Sequence, residues 1–119
     1  MNDSLTAAAD VRASTCATPP STGLMGEREL LRASTQLKAL AHPVRLRMVE
    51  LIQAHGGEIC VCAFEQHVEV KQPTISHHLK ILREAGLLRS RQEGTWVHHS
   101  LESSAFQTLK SLLATLASS

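Results

Sequence analysis

The stretch EICVC, residues 58 to 62, sets Cys60 and Cys62 two positions apart in a chain whose only other cysteine is Cys16. Thiolates are soft ligands and strong nucleophiles, so a tight pair is suited to holding a thiophilic ion or to oxidation. An odd number of cysteines cannot make a disulfide framework, and the C-x-C spacing is too cramped for an unstrained bridge. Reduced thiols in a cytoplasmic protein are therefore expected. Small, soft residues can also simply pack, so the elements around the pair must decide its role. Histidine is the other candidate donor. His78 falls beside Ile75 and Leu82 on one side of a helical pattern and reads as structural. His98 and His99 are adjacent on a predicted strand, point to opposite faces and cannot together hold one ion, so they read as strand residues.

The pair needs a scaffold. Residues 1–24 are rich in Ala, Ser and Thr, contain Pro19-Pro20 and lack apolar periodicity after Leu5, which predicts a flexible arm. Residues 25–119 are expected to form a single domain. Leu30, Ala33, Leu37 and Leu40 recur at helical spacing and predict a helix to about Ala41. Pro43 restarts the chain as a first helical residue, and the second helix closes at Gly56-Gly57. A short helix is expected from about Cys60 to His67, anchored by Phe64, with a turn at residues 68–71. Gln72 and Pro73 open another helix to Ala85, which Gly86 stops. Strands over Leu87–Arg91 and Thr95–Leu101, joined by Gln92-Glu93-Gly94, predict a hairpin. A last helix from about Ser103 carries Phe106, Leu109, Leu112, Leu113 and Leu116 on one stripe that needs a partner surface.

The expected fold is mainly α with a β-hairpin wing (α+β), a winged helix-turn-helix. Overall charge is only +1, but Lys71, Lys80, Arg83, Arg89 and Arg91 stand against only Glu84 and Glu93 between residues 71 and 101. That local excess points to nucleic acid. Gln72, Thr74, Ser76 and His77 sit at the start of the second helix, where short amide and hydroxyl side chains reach base edges. Lys80, Arg83, Arg89 and Arg91 suit phosphates.

The segments LKALAHPVRLRMVELI, EICVC, QPTISHHLKILREAGLLRSR and EGTWVHHSL, in that order, resemble the ArsR/SmtB family of winged-helix metalloregulatory repressors over about residues 30–101. The resemblance implies a homodimer through the first and last helices that binds double-stranded operator DNA and lets go when a metal or metalloid binds. EICVC is similar to the ELCVC box of arsenic- and antimony-responsive members, which points to As(III) or Sb(III) as inducer, with no organic cofactor. The typical enteric box has a further cysteine where this chain has Glu65, so the third ligand is open; Cys16 is the remaining thiol, and in some relatives the N-terminal arm supplies cysteines, sometimes across the dimer. Three soft thiolates with no fourth partner suit a pyramidal trivalent ion. Zinc, cobalt and nickel sensors of the family use Asp, His and Glu on the last helix, where residues 103–119 have none.

On a regular helix, positions i and i+2 diverge by about 200°, so Cys60 and Cys62 could share one ion only by distorting the first turn of the predicted short helix. The helix dipole there would favour the thiolate. Sensing of Cd, Pb or Zn, or a thiol-redox switch with Cys16 as resolving thiol, are the alternatives. No Gly-rich phosphate loop or catalytic constellation appears, so an enzyme is not expected. No run nears the roughly 18 apolar residues of a membrane span.

Overall fold

The computed structural model describes residues 24–64, 66 and 71–118. Five helices and three strands follow in the order α1 (Glu27–Leu40), α2 (Pro43–Ala54), β1 (Glu58–Cys60), α3 (Val61–Phe64), α4 (Gln72–Glu84), β2 (Leu88–Glu93), β3 (Trp96–Leu101) and α5 (Ser103–Ala117). The expected arm over residues 1–24 lies outside the described residues apart from Leu24. No described helix is long and apolar enough to cross a membrane.

Local chemistry sets the helix ends. The Glu29 carboxylate reaches back to accept from the Gly26 N–H at 3.0 Å and closes the start of α1. At α2, Pro43 has no N–H to satisfy, and the His42 ring accepts from the Val44 N–H through Nδ1 at 3.1 Å. The end of α4 is a Schellman turn: Leu87 N–H donates to the Leu82 carbonyl and Gly86 N–H to that of Arg83. Gly86 takes φ 81°, which a side chain would disfavour.

Two expectations are corrected. Residues 58–60 are a strand, so Cys60 ends β1 and only Cys62 of the pair lies in a helix, which is four residues long. The strand exists because β3 supplies its hydrogen-bonding partner, in the antiparallel register Glu58↔Ser100, Ile59↔His99, Cys60↔His98. The sheet order is thus β1-β3-β2. In the hairpin, Gln92 and Glu93 belong to β2, with Glu93 paired to Trp96, and the turn is Gly94-Thr95. Extending the ladder to Glu93 leaves a two-residue loop, and Gly94 at φ 64° makes it sterically accessible.

The core joins Met48 and Ile52 of α2, Phe64 of α3, Ile75 and Leu82 of α4, and Leu87, all fully buried. Each such side chain stabilises the fold by about 1.5–3 kcal/mol. Ile59 of β1, Leu79 of α4 and Leu109 of α5 join the same cluster. The chain's single tryptophan, Trp96, begins β3 beside the hairpin turn and is 60% exposed.

Candidate functional site

Helix α4 has two unlike faces. Ile75, His78, Leu79 and Leu82 are buried, whereas Thr74, Ser76, His77, Lys80 and Arg83 are exposed. The outermost stripe follows the spacing i, i+4, i+7, i+11 and consists of Pro73, His77, Lys80 and Glu84. Gln72 opens the helix. The expected base-reading and backbone-contacting residues of α4 are therefore together on one open surface, Gln72's side chain lying outside what is described.

The wing arginines are held differently. Arg89 Nε lies 3.2 Å from Glu102, and Arg91 bonds both carboxylate oxygens of Glu58 at 3.1 and 3.2 Å while also meeting Glu93 at 3.4 Å. The hydrogen bond and charge of Glu58 are the main causes that raise the Arg91 guanidinium above its ordinary value. Both side chains are more than half exposed, so they are positioned by carboxylates yet open to a phosphate.

Beneath α4 lies a cluster that sequence reasoning did not assemble. His78 Nδ1 is 3.2 Å from Arg45 Nη1, and its ring centroid is 4.6 Å from that of His42. Arg45 also donates to the Ala39 carbonyl. Because a guanidinium only donates, His78 accepts through Nδ1 and is neutral. Its pKa is lowered by burial first, then by His42, Arg45 and His77. His78 thus ties α4 to the α1–α2 junction, consistent with its expected structural role. The HPxR stretch at residues 42–45 was the available signal.

At the cysteine pair, the alternation of the sheet decides what lies where. Ile59 and His99 point into the core, each 4% exposed, and Ser90 Oγ meets His99 Nδ1 at 3.0 Å. Burial, then Arg83 and His98, lower the His99 pKa. Cys60 and His98, one position along, share the opposite, partly open face. Cys62 follows two residues later in α3; Cys16 and Glu65 lie outside the described residues. Among the described residues no group of three or more His, Cys, Asp or Glu is already gathered as a metal cage. The soft donors Cys60 and Cys62 nonetheless fit a thiophilic ion in kind.

A third surface is apolar. Leu30, Leu31 and Leu37 of α1 and Leu113 and Leu116 of α5 are exposed, Leu31 at 70% and Leu116 at 72%. A groove of about 430 Å³ runs between the two helices, lined by Leu30, Ala33, Leu37 and Leu112 among others.

Residues 42–90 match the family model described as bacterial regulatory protein, arsR family. The arsenic resistance transcriptional regulator ArsR1 of Pseudomonas putida is 43% identical over 86 residues, 72% of this chain and 66% of that protein. The match thus spans just under two thirds of that relative's length. The arsenical resistance operon repressor of Bacillus subtilis is 45% identical over 75 residues, 61% of this chain and 70% of that one. Among solved structures, HlyU from Vibrio cholerae superposes with a TM-score of 0.64 at 29% identity, covering 77% of this chain and 98% of that one.

Proposed function

Since the chain belongs to the arsR family of bacterial regulatory proteins, we propose that it is a dimeric operator-binding repressor released by trivalent arsenic or antimony. As a member of a family of regulators it is not an enzyme. One observation carries the reading: the thiol pair bridges the join between a strand and the helix-turn-helix. Cys60 ends β1, which pairs with the wing strand β3, and Cys62 lies in α3, whose Phe64 is packed in the core with Ile75 and Leu82 of α4. Drawing two thiolates onto one ion therefore pulls on the segment that seats the reading helix. The ion supplies the attraction, and the chain supplies the lever.

Each surface then has a role. Thr74, Ser76 and His77, with Gln72, read base edges, and Lys80, Arg83, Arg89 and Arg91 take phosphates. The leucines of α1 and α5 cover one another in a second copy, which places two reading helices on a palindromic site. Cys16 is the third thiolate. The relatives named for arsenical resistance support this choice of ion, and the absence of Asp, Glu and His from residues 103–119 removes a donor set on α5.

The test is operator release titrated with As(III) and Sb(III). Cys60→Ser and Cys62→Ser should bind operator like the wild type and need roughly tenfold more ion or greater for release, a coupling loss of about 1.4 kcal/mol or more. Cys16→Ser should be intermediate. Serine variants that still respond at wild-type concentrations would remove the thiols from the sensor; variants unable to bind DNA would make them structural.

A further inference from the structure

On the reading that Cys60 and Cys62 are the sensor thiols, we propose that His98 is a donor to the same place, so that Cys60, Cys62 and His98 form a two-sulfur, one-nitrogen site for a tetrahedral divalent ion such as zinc.

The sheet register is the reason. Cys60 is the direct antiparallel partner of His98, and such partners keep their Cβ atoms about 4.5–5.5 Å apart on one face. Side chains that start this close can bring a sulfur to about 2.3 Å and an imidazole nitrogen to about 2.0–2.1 Å from one zinc ion. The alternate residues Ile59 and His99 are committed to the core, so Cys60 and His98 must face outward, where the His98 side chain is 26% exposed and reachable by an ion. A second feature prepares the ring. Glu93 belongs to β2, which flanks β3 on the side away from β1, and its carboxylate lies 3.5 Å from His98 Nε2. A carboxylate there favours the tautomer with its proton on Nε2 and leaves Nδ1 as the donor atom, the arrangement by which outer groups orient metal-binding histidines. Cys62 is two residues from Cys60, and water completes four-coordination.

This donor set differs in kind from three thiolates. Nitrogen is a poor partner for a pyramidal trivalent metalloid and a good one for zinc. An ion held by it would tie β1, β3 and α3 together and so bear on wing and helix-turn-helix at once. His98 could not be assigned this place from sequence, because without β1 nothing set a cysteine opposite it.

The experiment uses the full-length reduced protein and Co(II) as a spectroscopic stand-in for zinc. The wild type should give thiolate-to-cobalt charge transfer together with the intense visible bands of tetrahedral cobalt, both abolished by added zinc. His98→Asn should lose cobalt affinity by about tenfold or more. X-ray absorption of the wild-type zinc complex, which needs no variant to fold, should show two sulfurs and the outer-shell scattering of one imidazole. Wild-type cobalt affinity in His98→Asn, or a zinc shell without imidazole, would each overturn the proposal. As(III)-driven operator release separates the two readings: its failure in a wild type that still binds cobalt through two sulfurs and His98 would discard the arsenic sensor and leave this site standing.

Discussion

Helices α1 and α4 are both amphipathic, and they face opposite ways. α4 turns Ile75, Leu79 and Leu82 inward and presents Ser76, His77 and Lys80 to the outside. α1 turns Ala33, Gln36 and Ala39 inward and presents Leu30, Leu31 and Leu37, and α5 likewise buries Leu109 while exposing Leu113 and Leu116. Water tolerates the first arrangement indefinitely and penalises the second. The difference teaches that the domain has finished its core around α4 and leaves an apolar face uncovered at α1 and α5, the face proposed above to meet a second copy.

The sharpest way to break this comparison is to remove an inward leucine from one helix and an outward leucine from another. Leu82→Ala should cost about 2–5 kcal/mol of unfolding free energy, because it leaves a cavity in a fully enclosed site. Denaturant melts should register that loss to the same extent at every protein concentration. The outward change Leu116→Glu should instead weaken self-association by about 2 kcal/mol, near 30-fold in dissociation constant, as expected when a charge replaces an apolar side chain in the proposed dimer face. Sedimentation should follow the shift to monomer, and operator affinity should fall with it. If Leu116→Glu lowered stability at all concentrations as Leu82→Ala does, α5 would belong to the domain's own core.

On the polar face the expected effects are smaller. Lys80→Ala should make the slope of log affinity against log salt shallower by about 0.9, the value of one phosphate left without its cation, with all operator sequences weakened alike. Fluorescence anisotropy across a salt series reads it directly. The smallest effect concerns His78, which fixes α4 from below. Its folded pKa is lowered beneath the ordinary 6.5 by burial, His42, Arg45 and His77. The unfolded chain therefore binds the proton first, so the contribution to stability is full above the ordinary value and is lost as pH falls through the lowered one. Urea midpoints between neutral and mildly acid solution should drop, and His78→Gln should flatten that part of the profile.

Most of this architecture was legible from periodicity and end signals. Pro43, the Gln72-Pro73 start and Gly86 mark helix boundaries because each acts through its own backbone within one turn. β1 was not legible, since three residues are too few for alternation to register and its pairing energy comes from residues 98–100, some 40 positions away. The outward direction of the α1 leucines was hidden for a related reason: Leu30, Ala33 and Leu37 announce an apolar stripe, but which neighbour covers it is set by packing. Of the candidate site, the exposed face of α4 followed from helical geometry alone. The carboxylates that hold Arg89 and Arg91 did not, because Glu58 and Glu102 reach the wing from β1 and from the start of α5.

Trp96 gives the molecule an optical readout of its own. It is the only indole, no tyrosine competes with it, and it is 60% exposed at the edge of the wing turn. Emission excited in the red edge of the indole band will therefore come from one place, and quenching by iodide will report how open that place is. Docking of the wing against a duplex should shield the ring and change its spectrum, whereas engagement of α4 alone should leave it untouched. The unlabelled protein can thus distinguish a complex that uses both elements from one that uses only the reading helix.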